Sequence, residues 1–95
     1  MRLAKVVGNV VSTIKDESYY GHKLMIVDYI DDQGNLTGNQ AIVFDVADAG
    51  VGDVVLINVD GGAAGMFLGK RTIADLTICG VVDSITLDGQ TREYR

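Results

Sequence analysis

The residues of this chain whose types could carry out chemistry are few, and their spacing does not assemble a reactive site. His22 is the only histidine, and it lacks the nucleophile and the orienting group that a catalytic triad requires. Cys79, the only cysteine, lies between Ile78 and Gly80 in an apolar segment, whereas a reactive thiol needs an electropositive, partly exposed setting. We therefore interpret His22 as a surface residue and Cys79 as a core residue, and we predict a non-enzyme with no catalytic residues.

Aspartates occur in two groups near glycines, and clustered carboxylates are the ligands that hard cations prefer. The groups consist of Asp28, Asp31 and Asp32, and of Asp45, Asp48 and Asp53. Neither has the EF-hand spacing of acidic ligands with a glycine at the sixth position and a final glutamate. We therefore predict no metal site. We expect the first group to form a solvated turn and the second to accept hydrogen bonds from nearby backbone N–H groups.

Two glycine-rich segments are candidates for phosphate binding, because exposed backbone N–H groups attract anions. Gly50-Val51-Gly52 precedes a strand, whereas a phosphate-binding loop follows a strand and opens a helix. The segment 60–65 is better placed, but no lysine or specific acidic residue of a nucleotide-binding motif follows it. We therefore predict no cofactor, and we interpret 60–65 as a tight entry into a helix.

The elements that must position these residues are almost all strands, because apolar and polar residues alternate along most of the chain. Strands are predicted over 3–14, 24–30, 41–46, 54–59 and 76–87. A hairpin turn at Asp88-Gly89 then leads into a short sixth strand over 90–94. A short helix is expected at 63–68, with Asp60 as its N-cap and Gly69 as its end.

Five main strands of even spacing predict an all-β fold, a small five-stranded barrel with one short helix and a C-terminal hairpin. With 95 residues and no internal boundary, the chain is expected to form one domain over 1–95. Gly8 and Gly80 lie within predicted strands, where glycine marks a sharp bend of a barrel or a close backbone approach. We therefore predict them to be bend positions of the barrel.

Composition predicts an oligomer and argues against a general affinity for nucleic acid. Hydrophobic residues make up 47% of the chain and the mean hydropathy is +0.21, although a small domain should be more polar than average. This excess indicates apolar surface buried between subunits. The net charge is −5 with scattered basic residues, whereas phosphate backbones are bound by clustered Lys and Arg. We expect no signal peptide and no membrane span, and the single cysteine fits a reducing cytosol.

The alternative interpretation is a binding module. Small barrels of this type bind single-stranded nucleic acid through stacking aromatic residues and a basic groove. Here the only aromatic pair, Tyr19-Tyr20, lies beside Asp16-Glu17, and no basic stripe accompanies it. A monomeric or dimeric barrel that binds single-stranded nucleic acid or another ligand is therefore the second hypothesis.

Five segments, in this order and spacing, resemble the EutN/CcmL family of bacterial microcompartment vertex proteins. They are 3–15, 21–27, 45–55, 61–65 and 78–83, so the resemblance runs from Met1 to about Leu87. The fourth segment departs from the family pattern, since its two serines and its arginine are replaced by Gly62, Ala63 and Gly65. The resemblance implies an OB-like barrel and a non-enzymatic homopentamer. It also implies that the pentamer caps the fivefold vertices of a microcompartment shell, built with hexameric shell proteins in the bacterial cytoplasm.

The resemblance also suggests where a ring of this chain would have its pore and its contacts. Small, unbranched residues allow five copies of a segment to approach an axis closely, and we expect this of Gly61, Gly62, Ala63 and Ala64. The C-terminal hairpin is expected to reach a neighbouring subunit, with Asp88, Gly89, Arg92 and Tyr94 as interface residues.

Overall fold

The fold consists of a five-stranded barrel and a separate hairpin. A computed structural model describes residues 1–11, 23–58 and 76–94. Its strands are β1 (Arg2–Val10), β2 (Lys23–Ile30), β3 (Leu36–Asp45), β4 (Val54–Asn58), β5 (Thr77–Val81), β6 (Ser84–Leu87) and β7 (Gln90–Glu93). The first five close into a barrel in the order β1-β2-β3-β5-β4, and β6 pairs only with β7. Only the β3–β5 pair of the barrel is parallel. The predicted all-β barrel with a C-terminal hairpin is confirmed.

The interior of the barrel is filled by alternate residues of the strands. Because successive side chains of a strand point to opposite faces, every second residue enters the core. The core residues are Ala4, Val6, Met25, Val27, Tyr29, Val43, Ala49, Val55, Ile57 and Ile78. Full burial of a Val or Ile side chain contributes roughly 1.5–3 kcal/mol, so this cluster is the main source of stability. The residues between them point away from the core.

Two predicted strands differ from the structure by more than one described residue. The segment 76–87 is two strands rather than one. Val82 N–H donates to the carbonyl of Val54 at 2.7 Å, and Val54 is the first residue of β4. The β4 ladder therefore ends there, and the residues after Val82 have no described barrel strand beside them. Strand β3 begins at Leu36 instead of residue 41. It contains a bulge, since Asp28 pairs with Gln40 while Ile30 pairs with Leu36.

Other predictions concern residues that the structure does not describe. The helix expected at 63–68 and the end of the first predicted strand, 12–14, lie outside the described residues. All regular elements of the described part are strands. In that part, no helix is long and apolar enough to cross a membrane.

Candidate interaction surfaces

Two rows of apolar residues lie on the outer surface of the barrel, and each row crosses three adjacent strands. Residues directly opposite in a ladder share a face of the sheet, and these pairs alternate with the core residues. Row A consists of Gly8, Ile26 and Ile42, on β1, β2 and β3. Row B consists of Leu3, Leu56 and Gly80, on β1, β4 and β5. Both rows therefore present continuous apolar surface outside the core.

The side chains of these rows are incompletely covered by the chain itself. Ile42 is 60% exposed, and the remaining residues of both rows are half-buried. An isoleucine in this state forgoes most of the stabilisation that burial would provide. Next to row A, Val7 is also exposed, at the register shift between Val6 and Gly8.

The two glycines predicted as bend positions belong to these rows and lie at irregularities of the ladders. The β1–β2 register shifts between Val6 and Gly8. The β4–β5 register shifts where Leu56 pairs with Gly80 and the next residue pairs with Ile78. A Cβ atom would lie 3.6 Å from Ile26 Cδ1 at Gly8 and 3.9 Å from Leu56 Cδ1 at Gly80. Both are ordinary contact distances, so the role of these glycines in bending the barrel stays a prediction.

At one end of the barrel, a buried carboxylate organises the β3–β4 loop. The Asp45 side chain is completely buried, and its oxygens accept hydrogen bonds from Ala47 N–H at 2.9 Å and Ala49 N–H at 2.8 Å. Lys23 Nζ lies 3.4 Å from Asp45 Oδ2 and 2.9 Å from Asp48 Oδ1. The hydrogen bond between Lys23 and Asp48 raises the pKa of the lysine and lowers the pKa of Asp48.

The turn-forming role predicted for the second aspartate group is confirmed for two of its members. Asp45 binds the two backbone donors described above, and Asp53 Oδ2 accepts the Gly50 N–H at 2.9 Å. Asp48 has a different role, since it pairs with Lys23 from a left-handed backbone conformation at φ 56°. These bonds hold the loop between β3 and β4 in one conformation.

The first aspartate group is divided between the β2–β3 turn and the bulge of β3. Asp31 Oδ1 accepts hydrogen bonds from Gln33 N–H and Asn35 N–H, both at 2.9 Å, and these bonds, chiefly that from Asn35, lower the pKa of Asp31. Asp28 is buried and accepts the Gly38 N–H at 3.0 Å. Asp28 and Asp31 thus bind backbone donors, and the solvated turn predicted for this group is wrong for Asp28, which is buried within β2. Within the described ranges no three metal-ligating side chains converge.

The C-terminal hairpin lies against the β2–β3 turn of its own chain. Asp88 and Gly89 form its tip, with φ values of 53° and 77° that match the predicted two-residue turn. A Cβ atom at Gly34 would lie 2.6 Å from Tyr94 Oη and 3.2 Å from Arg92 Nη1. Of the four predicted interface residues, Arg92 and Tyr94 therefore face the chain's own turn, and Asp88 and Gly89 are exposed.

The described basic residues do not form a groove for nucleic acid. They are Arg2, Lys5, Lys23 and Arg92. Lys23 is paired with two aspartates, and the Arg2 guanidinium carbon lies 3.6 Å from the centroid of the Tyr29 ring, which is part of the core. The alternative of single-stranded nucleic-acid binding, which requires a basic groove beside exposed aromatic residues, is therefore not supported.

Several residues that were singled out from the sequence do not belong to row A or row B. His22 and the predicted pore residues Gly61, Gly62, Ala63 and Ala64 lie outside the described residues. Cys79 is half-buried rather than part of the core, and its Sγ donates to the Leu56 carbonyl at 3.5 Å. Sequence reasoning missed the two rows, because their members are far apart along the chain. The signal available in advance was the excess of apolar residues.

Comparison with known proteins identifies the relatives of this chain. The profile of the family described as "Ethanolamine utilisation protein EutN/carboxysome" matches residues 1–83. The microcompartment shell vertex protein PduN of Salmonella typhimurium is 37% identical over 90 residues, which cover 90% of this chain and 99% of PduN. The carboxysome shell vertex protein CcmL of Nostoc sp. is 37% identical, with 93% and 88% covered. The structure of GrpN, a pentameric microcompartment shell protein from Rhodospirillum rubrum, is similar with a TM-score of 0.82 and 33% identity, covering 92% of this chain and 99% of GrpN.

Proposed function

The chain belongs to the EutN/CcmL family, and we propose from this that it is a structural shell protein whose homopentamer caps the fivefold vertices of a bacterial microcompartment. The observation that carries the proposal is the incompletely covered apolar surface of rows A and B on a barrel that resembles the pentameric GrpN. Its partners would be four further copies of itself and the hexameric shell proteins around each vertex. Its place would be the shell, in the bacterial cytoplasm, and it would catalyse no reaction.

The closed barrel supports this assembly in physical terms. Each strand of the barrel has a hydrogen-bonded neighbour on both sides, although β3 meets β5 only at Phe44 and Asp45. Where two strands pair, their edges are not free for strand addition, and the side chains on the outer face of the sheet remain for association. A closed ring of identical subunits uses two different surfaces of each subunit when the interface is head-to-tail.

Two further features of the ring are proposed from the sequence. The small residues Gly61, Gly62, Ala63 and Ala64 would surround the fivefold pore. The hairpin tip, Asp88 and Gly89, would reach a neighbouring subunit, while Arg92 and Tyr94 support the hairpin from behind through the β2–β3 turn.

The native mass tests the proposed function. Light scattering behind a sizing column should give about 50 kDa, the mass of five chains of 10.1 kDa, over a wide range of concentration. Co-expression with a hexameric shell protein should then give closed polyhedral particles by electron microscopy, and leaving this chain out should give particles with open vertices. A stable monomer at every concentration would contradict the proposal.

The pore assignment has its own test, the substitution Gly62→Arg. The variant should fold, and far-ultraviolet circular dichroism, which reports on the strands of the barrel, checks that it does. Five arginines close to one axis should repel each other and disturb the ring, lowering the pentamer fraction or narrowing the pore in a crystal structure. If the variant forms pentamers like those of the wild type, with an unchanged pore, then residues 61–64 lie away from the fivefold axis.

A further inference from the structure

We propose that row A of one subunit packs against row B of the next, as the two halves of a head-to-tail interface between copies of this chain. The inference rests on the proposed function and assigns the surfaces through which the ring closes. The occupant of each row is therefore a second copy of the chain, and each subunit uses its two rows toward two different neighbours.

The strand order separates the centres of the two rows, which lie on β2 and β4 with β1 between them. Around the barrel the order is β1-β2-β3-β5-β4, so β4 lies across from the β2–β3 pair. Ile26 and Ile42 of row A belong to β2 and β3, and Leu56, the centre of row B, belongs to β4. A head-to-tail interface needs two different patches and closes into a ring when the rotation between subunits fits, whereas a patch that binds its own copy closes at a dimer.

The shapes of the two rows are also suited to one another. Each row combines bulky aliphatic side chains with one glycine at its end, Gly8 in row A and Gly80 in row B. Because neither glycine has a side chain, one flank of Ile26 and one flank of Leu56 are left uncovered. A protruding aliphatic group of the neighbouring subunit fits such a step, and close packing of this kind is typical of the buried centre of oligomer interfaces.

Three other exposed hydrophobic residues of the described part, Leu36, Val51 and Val11, do not belong to such rows. Leu36 is 54% exposed, but its partner Ile30 is buried and pairs with no residue of β1. Val51 lies in the β3–β4 loop and Val11 follows the end of β1. Leu36 is therefore a matched control, because it lies on the same strand as Ile42 and has a similar exposure.

The substitutions Ile42→Glu and Leu56→Glu test the assignment, with Leu36→Glu as the control. The first two substitutions place a carboxylate on row A and on row B, respectively. Desolvating an unpaired charge in an apolar interface opposes association. The wild type and the control should have a mass of about 50 kDa, and both row variants should fall to about 10 kDa, the mass of one chain. Circular dichroism should show the barrel intact in all four proteins. Ile42→Ser, which adds no charge to a residue already 60% exposed, should lower the pentamer fraction partially.

Mixing the two row variants tests the pairing of A with B. The Leu56→Glu subunit keeps an intact row A and the Ile42→Glu subunit an intact row B, so one interface can form. Sedimentation of the mixture at high concentration should show a 1:1 dimer of about 20 kDa, the mass of two chains. A mixture that stays monomeric, or a folded Ile42→Glu variant that stays pentameric, would overturn the inference and leave the pentamer in place. A monomeric wild type would instead overturn the proposed function, and the inference with it.

Discussion

Two loops of this protein contain the same local arrangement in different surroundings. Asp31 accepts hydrogen bonds from the N–H groups two and four residues later, and Asp45 does the same. The Asp31 loop is exposed to solvent, whereas the Asp45 side chain is completely buried and also lies near Lys23. The spacing of the donors is therefore the same, although Asp31 accepts both bonds with Oδ1 and Asp45 uses its two oxygens. The energetic weight of each aspartate depends on whether water can replace it as the acceptor.

The largest expected effect comes from removing the buried member of the pair. Asp45→Ala leaves the N–H groups of Ala47 and Ala49 without their acceptor, and the latter residue is buried. Unpaired buried donors are costly, so we expect a loss of about 3 kcal/mol in the free energy of unfolding. Urea unfolding at fixed protein concentration measures it. The control is Asp31→Ala, for which water can satisfy the exposed donors, with an expected loss of about 1 kcal/mol. Equal losses would refute the role of burial.

The second prediction concerns the C-terminal hairpin, which lies against the exposed β2–β3 turn that contains Asp31 and Gly34. Gly34 has φ +87° and no room for a Cβ atom beside Tyr94 Oη. Gly34→Ala should therefore cost about 2 kcal/mol, from backbone strain and from displacing the Tyr94 and Arg92 side chains. Gly38→Ala is the control, because its φ is similar at +82° but nothing lies near the new Cβ atom. It should cost about 1 kcal/mol from strain alone.

A double variant separates the clash from the strain. Adding Tyr94→Phe to Gly34→Ala removes the hydroxyl oxygen that the new methyl group meets. Part of the lost stability should return, and thermal unfolding followed by circular dichroism measures the return. If the added Tyr94→Phe change returns nothing, the hairpin does not rest on this turn as the structure indicates.

The pH dependence of stability distinguishes the two loops by sign. The pKa of Asp31 is lowered in the folded chain, so its contribution is present at neutral pH and is lost as the pH falls from about 4 through the folded pKa. The pKa of Lys23 is raised, so its contribution is present below about pH 10.5 and is lost as the pH rises through the folded pKa. Asp31→Asn should flatten the acid side of the stability curve, and Lys23→Met the alkaline side.

These pH effects are checked by unfolding each variant across the pH range. Lys23→Met should also flatten the acid side to some extent, since Lys23 is the group that lowers the pKa of Asp48. Asp31→Asn should leave the alkaline side unchanged, which makes it the control for Lys23→Met. An alkaline limb that persists without Lys23 would show that another group governs it.

The smallest effect is expected at a buried polar group that lacks hydrogen-bond partners within the described ranges, whereas Asp45 has two backbone donors. Thr77 is completely buried, and its Oγ1 has no hydrogen-bond partner among the described residues. Replacing such a hydroxyl by a methyl group of the same shape removes an unmet hydrogen bond. Thr77→Val should therefore be neutral or stabilising by less than about 1 kcal/mol. A clear loss of stability would mean that the hydroxyl has an essential partner.

Features that depend on neighbours along the chain were predictable from the sequence. Alternating residues place the strands, Asp88-Gly89 forms the expected tight turn, and Asp45 and Asp53 bind N–H groups within four residues. The OB-like barrel and the family came from the resemblance of several segments together, whereas the order of the strands came from the structure. Local features are predictable because their donors, acceptors and backbone angles are specified within a few residues.

The tertiary structure alone decided which residues are covered and which remain exposed. The sequence does not distinguish the exposed loop of Asp31 from the buried carboxylate of Asp45, because burial depends on strands that are distant along the chain. It predicted one strand over 76–87, and only the end of the β4 ladder divides that segment into β5 and β6. Rows A and B likewise exist only through strand register, since a shift of one residue would turn their side chains to the opposite face. The sequence by itself therefore determines the alternation along each strand. The pairing of strands in the closed barrel determines which apolar surfaces are available to a neighbouring subunit.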